Sequence, residues 1–232
     1  MRPFPMMLFA AGFGTRMGDL TRDRPKPLIK VAGRCLLDHA LDLTREAGLR
    51  RRVVNLHYHG DQIAQHLAGQ DVEVSWERQE SLETGGGLRA ALPLLGSGPV
   101  YTLNSDAVWT GHNPLVELSE AWSEGEMDAL LLLAPLNQVE GYHGPGDFVI
   151  NAAGRIARAA GQPGLVYLGA QIIRTERLAA VPDRVFSLNL LWDQMIAERR
   201  AFGVVHAGRW CDVGRPEGIA TAEAMLARSG DA

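Results

Sequence analysis

Cysteine is scarce in this 232-residue chain. Cys35 and Cys211 are the only two, too few and too far apart for a disulfide framework or a structural zinc site, so both are expected to be reduced, Cys35 as small core filler. Long hydrophobic runs are missing too: no tract of 18 apolar residues occurs, which leaves no helix able to span a bilayer and no membrane partner. The opening MRPFPMMLFAAG has one arginine, but its apolar stretch is short and runs straight into glycines. It reads as a core strand rather than a signal peptide, and a cytoplasmic location is expected. Neither sign of charge dominates. A formal net charge of −4 argues against a general nucleic-acid binder, and the basic clusters at 22–30 and 50–52 are local, the second a solvated turn. Composition is globular, and the length suits one open α/β domain better than two small ones.

The informative stretch is 8–30, LFAAGFGTRMGDLTRDRPKPLIK. The apolar run 6–11 reads as a first strand, and Gly12, Phe13 and Gly14 follow it. Glycines there permit positive φ and close approach of a ligand, so that successive N–H groups can converge on anionic oxygens. Arg16 adds a planar fork of donors. Lys26 adds a point charge between two prolines that fix φ and hold the backbone extended. The spacing is not the dinucleotide fingerprint, because no third glycine follows Gly14 at the required position. Nor is it the common P-loop, which ends in Gly-Lys-Ser/Thr. A lone Gly-x-Gly is as often a tight turn; the second basic element, Arg24-Pro25-Lys26-Pro27, makes the segment look built for polyphosphate.

AAGFGTRM followed by RPKPL resembles the signature of the sugar-1-phosphate nucleotidyltransferases, and the order of later segments follows that family along nearly the whole chain. The resemblance implies a single-domain Rossmann-like α/β fold with an open, mostly parallel but mixed twisted sheet and helices on both faces. Residues 1–112 would form a nucleotide-binding half and 113–232 a sugar-phosphate-binding half. Ala11, Gly12, Gly14 and Thr15 would lie against the nucleotide.

Periodicity supports the alternation. Apolar spacing over 35–47 predicts a helix stopped by Gly48, 52–56 a strand, 61–67 a short helix capped by Asp61, and 72–76 a third strand. Alternating strands and helices imply a parallel, buried sheet. His57 and His59 flank Tyr58, but no cysteine or carboxylate stands at ligand spacing, so a polar strand-end loop is the reading and not a zinc site. Gly85, Gly86 and Gly87 are expected to open an amphipathic helix, where bare backbone could accept a flat ligand and the helix dipole favours phosphate; a flexible linker is the alternative. LETGGGL matches the family segment L-x-T-G/A-G, which by resemblance places the base near Gln79, Glu80, Gly85 and Gly86.

The strand 100–103 leads to Asn104-Ser105-Asp106, and a carboxylate at the carboxyl end of a parallel strand faces the ligand crevice, although an aspartate there can merely cap a helix. The family usually has glycine or alanine where Ser105 stands; Asn104 would belong to the nucleotide site. Residues 140–148 break the pattern with three glycines and a proline, as a mobile surface loop or a pocket rim. GYHGPGDF resembles a G-H-H-x-x-G-D-F segment of the N-acetylmuramate 1-phosphate uridylyltransferases, which puts His143, Gly146 and Asp147 beside the sugar, departing at Tyr142 and Pro145. A hairpin at 148–156 follows, then a strand over 166–173 with Gly169 at a crowded point that would also border the sugar. The Phe-x-Glu-Lys-Pro stretch of many relatives is absent from 157–165, a shorter layout shared with the muramate enzymes. Trp-x-Asp-x-Gly at 210–214 closes the family pattern.

The resemblance assigns Arg16 to the β- and γ-phosphates, Lys26 to the α-phosphate and the incoming phosphate, and Asp106 with Asp212 to Mg²⁺, which commonly takes one or two carboxylates plus phosphate oxygens. Asp212 by itself reads as a turn residue. The substrates implied are a nucleoside triphosphate and a sugar 1-phosphate, UTP with N-acetylmuramate 1-phosphate first, as in cell-wall sugar recycling, and GTP with mannose 1-phosphate second. A non-catalytic sugar-nucleotide-binding regulatory module would be expected to have lost one of the four charges. A dinucleotide oxidoreductase would need a third glycine and an acidic residue where Asn55 stands.

Overall fold

The computed structural model describes residues 1–230. Seven strands form the central sheet in the spatial order Ala201–Val205, Ala129–Ala134, Val166–Arg174, Pro99–Asn104, Met6–Phe9, Arg52–Leu56, Glu73–Trp76. Every neighbouring pair is parallel except those of Val166–Arg174, which runs antiparallel to both flanking strands. The mixed, mostly parallel sheet expected from the sequence is therefore present.

The alternation of side chains explains why both faces are covered. Met6 and Leu8 point into one cluster with Leu37 and Leu41 of the helix Leu36–Glu46 and Leu115 of Pro114–Ala121. Met7 points the other way, into a cluster with Leu88 and Ala91 of Glu83–Leu95 and Leu191 and Met195 of Asn189–Ala197. A strand buried on both sides has no use for polar alternation, hence the run ALLLLA over Ala129–Ala134, in which all positions are buried. Each such leucine contributes about 1.5–3 kcal/mol through burial.

Two local expectations need correction. The helix after the third strand begins at Glu83, ahead of the glycines, with Glu83 itself at φ 62°. The glycines lie within the helix, and neighbours leave no room there for a side chain: a Cβ on Gly86 would sit 2.5 Å from the Arg184 carbonyl oxygen, and one on Gly87 2.6 Å from Glu77 Oε1. Asp61 does not cap the helix Gly60–His66; His59 occupies that position in a left-handed conformation, and Asp61 lies inside the first turn. A small second sheet was not legible at all. Ala107–Thr110 pairs antiparallel with Arg209–Asp212, which also pairs with Val139–Glu140. It packs with the helix Glu217–Ser229 around Val108, Cys211, Val213, Ala222 and Met225.

Candidate active site

The carboxyl ends of Met6–Phe9 and Pro99–Asn104 meet at the centre of the sheet, where a crevice forms in open α/β folds. A cavity of about 510 Å³ lies there, lined among others by Ala11, Gly12, Gly14, Thr15, Arg16, Lys26, Asn104 and Asp106. The N–H groups of Gly12, Phe13 and Gly14 meet no protein acceptor among the described residues, so the loop offers unpaired donors to its cavity. Only one of the two glycines needs positive φ. Gly14 sits at φ 64°, and a Cβ on it would come within 2.9 Å of Lys26 Cβ; Gly12 has an ordinary φ and nothing within 4 Å of where its Cβ would be.

Lys26 is 7% exposed. Its Nζ lies 2.8 Å from Asp106 Oδ2, and Arg16 Nη1 stands 3.9 Å from Asp212 Oδ2. The small sheet brings the two acids together: Asp212 pairs in register with Ala107, the residue after Asp106, and Val213 N donates to the Asp106 carbonyl at 3.0 Å. Burial foremost, then the charge of Asp106, holds the Asp212 carboxyl above the usual carboxylate range, while Lys26, Arg16 and His143 pull it down. Two adjacent carboxylates that repel each other, one costly to ionise, suit a hard divalent cation with oxygen ligands.

A second cavity of about 400 Å³ adjoins the first and shares Phe9, Arg16, Thr84, Asn104 and Asp106 with it. Asp147, Gly169 and Asp212 line it. Asp147 accepts from the Tyr142 hydroxyl at 3.2 Å and from Tyr167 N at 2.8 Å. Gly169 marks a shift of strand register at φ 77°, where a Cβ would press on the Asn104 side chain. His143 is exposed, and neither it nor Gly146 lines this cavity; Gly146 backs onto Gly164.

Gln79, Glu80, Gly85 and Gly86 are not on the wall of the first cavity. Gln79 and Gly86 border a separate cavity with Arg78 and Arg184, Glu80 pairs with Arg184 at 3.3 Å, and the N–H groups of Gly85 and Gly86 both donate to the Phe186 carbonyl. Ser81, Glu83 and Thr84 line the first cavity instead.

Sequence reasoning missed Asn55 and Glu77, both buried. Ala10 N donates to Asn55 Oδ1, Asn55 Nδ2 to Glu77 Oε1, and Leu82 N to Glu77 Oε2, each at 2.7 Å. This relay ties the start of the glycine loop to the start of the helix Glu83–Leu95. Only an amide side chain inside the otherwise apolar run 53–56 hinted at it. Ser105, the departure from the family pattern, donates its hydroxyl to the Phe9 carbonyl at 2.7 Å and so links the two central strands.

Residues 6–177 match the MobA-like NTP transferase domain. The chain is 41% identical to an N-acetylmuramate alpha-1-phosphate uridylyltransferase of Caulobacter vibrioides, covering 96% of this chain and 97% of that one. It is 32% identical to an enzyme of the same name from Neisseria meningitidis serogroup B, over 94% and 96%. Among solved structures it resembles HddC from Yersinia pseudotuberculosis, crystallised with GMP-PN, with a TM-score of 0.76 at 20% identity, covering 95% of this chain and 98% of that one; this likeness speaks to the fold. The glycine loop, the basic element after it and these matches agree: the chain belongs to the MobA-like NTP transferase family.

Proposed function

We propose that this protein joins a sugar 1-phosphate to a nucleoside triphosphate, releasing pyrophosphate, and that its substrates are N-acetylmuramate α-1-phosphate and UTP. The convergence of Arg16, Lys26, Asp106 and Asp212 where two cavities abut carries the reading, and the names of the two similar enzymes supply the substrates. The first cavity takes the triphosphate. Its lining comes from residues 9–106 apart from Val185 and Gly214, in keeping with a nucleotide half at 1–112 and a sugar-phosphate half at 113–232. Ala11, Gly12, Gly14 and Thr15 offer backbone to the phosphates, Asn104 lies between the two substrates, and the base reaches toward the segment from Gln79 through Gly86 by way of Ser81, Glu83 and Thr84. The second cavity takes the sugar against Asp147 and Gly169, with His143 and Gly146 in the loop outside it.

An oxygen of the sugar phosphate attacks the α-phosphorus; that O–P bond forms as the bond to the β-phosphate oxygen breaks and pyrophosphate departs. The attacking phosphate is already ionised at neutral pH, so no protein base is required. The barrier lies in bringing two polyanions together and in holding charge at phosphorus. Lys26, buried and rigidly placed, bridges the α-phosphate and the incoming phosphate. Arg16, exposed and longer in reach, holds the β- and γ-phosphates. Asp106 and Asp212 would hold Mg²⁺, which when bound neutralises triphosphate charge.

Pyrophosphate release from N-acetylmuramate, N-acetylglucosamine, glucose and mannose 1-phosphates, each with UTP, GTP, CTP and dTTP, tests this. Turnover is expected to be highest with the muramate and UTP pair; product with GTP alone would sink it.

A further inference from the structure

N-acetylmuramate is N-acetylglucosamine carrying a lactyl ether, and that ether ends in a carboxylate. A site that selects it needs a cation in the sugar cavity beyond those that serve phosphate. Two arginines line the second cavity. Arg16 also lines the triphosphate cavity and stands by Asp212; Arg158 lines the second cavity only.

We propose that Arg158 forms a carboxylate subsite in the sugar cavity and selects the lactyl group; this rests on the muramate reading above. The hairpin Phe148–Ile150 with Ile156–Arg158 sets Arg158 directly across from Phe148. Its guanidinium lies over the Phe148 ring at 4.9 Å and stands 5.7 Å from the Trp192 ring. Nε donates to Asp193 Oδ1 at 2.8 Å and Nη2 to the Asn189 carbonyl at 3.3 Å, whereas Nη1 has no partner among the described residues. A fork stacked on two rings and tethered at one edge loses little freedom when it takes a second carboxylate, the geometry at which arginine outperforms lysine. Asp193 is 61% exposed, so water screens much of its charge and the guanidinium is not fully neutralised.

The remaining lining sharpens the need. Asp106, Asp147 and Asp212 are the other charged groups there. Asp147 is held by Tyr142 and Tyr167, so its charge stays in the cavity. A lactyl carboxylate entering without Arg158 would face Asp147 with no free cation beside it, since Asp106 is paired with Lys26 and Asp212 stands by Arg16 at the metal site, and a neutral sugar would not feel that repulsion. Arg158 thus acts on discrimination rather than on the transfer step.

The test is the ratio of kcat/KM for N-acetylmuramate 1-phosphate to that for N-acetylglucosamine 1-phosphate, both with UTP, in wild type, Arg158→Ala, Arg158→Gln and Arg158→Lys. Using the ratio removes any loss of folded protein common to both substrates. The subsite predicts a ratio lowered about 10- to 100-fold in the alanine and glutamine variants, as expected for one hydrogen-bonded charge, with lysine between them and wild type. A wild type that prefers the muramate while all three variants keep the same ratio overturns the subsite alone. A wild type without that preference overturns the muramate reading and the subsite together.

Discussion

Replacing Lys26 with methionine keeps most of the side-chain volume and removes the charge, and its two consequences can be separated. For stability, a pair 2.8 Å apart has an attraction of about 6 kcal/mol at an effective dielectric near 20. Desolvation offsets much of that, and breaking a buried pair costs about 3–5 kcal/mol. The Asp106 side chain is 31% exposed, so water reclaims part of the stranded charge and about 1–3 kcal/mol is left, a fall in Tm of about 2–12 °C at this chain length. For catalysis, one preplaced cation at the reacting phosphorus is worth about 10²–10³ in kcat. Thermal melts and pyrophosphate release at saturating substrates read the two effects. Adding Asp106→Asn to Lys26→Met removes the stranded carboxylate and should restore most of the lost Tm while turnover stays low. A Lys26→Met protein with near wild-type kcat refutes the catalytic role, and a double variant no more stable than the single one refutes the account of the pair.

Asp212 makes stability depend on pH with a sign set by its raised carboxyl. Between the ordinary carboxylate value and the raised folded value the native state binds more protons than the unfolded chain, so this residue's contribution is lost as pH rises through that window. The rise in Tm on adding Mg²⁺ without nucleotide should therefore be larger at pH 7 than at pH 4.5, and absent in Asp212→Asn; equal increments at both pH values, or an undiminished one in the variant, would contradict it. Asn55→Ala orphans Ala10 N–H and one oxygen of Glu77 in a buried relay, at a cost of about 2–4 kcal/mol. Urea unfolding should show that loss, and KM for the nucleotide should rise more than KM for the sugar phosphate; unchanged KM values would mean the relay does not position the glycine loop.

What the sequence determined by itself is whatever depends on near neighbours. Alternating apolar spacings and turn residues encode the strands and helices over 35–104, and AAGFGTRM with RPKPL encodes the phosphate loop, because backbone freedom, fixed prolines and basic side chains act within a few residues. Tertiary structure alone decided the rest. Asp212 reaches Asp106 only because Arg209–Asp212 pairs with Ala107–Thr110, two short mixed segments about a hundred residues apart that carry no strand signal strong enough to read. Gly86 and Gly87, which read in the linear chain as a helix start bared for a ligand, are glycine because the Arg184 carbonyl and Glu77 press on them. Arg158 gains its meaning from Phe148, Trp192 and Asp193. A cavity wall is assembled by long-range packing, and no local pattern records which side chains that packing will set side by side.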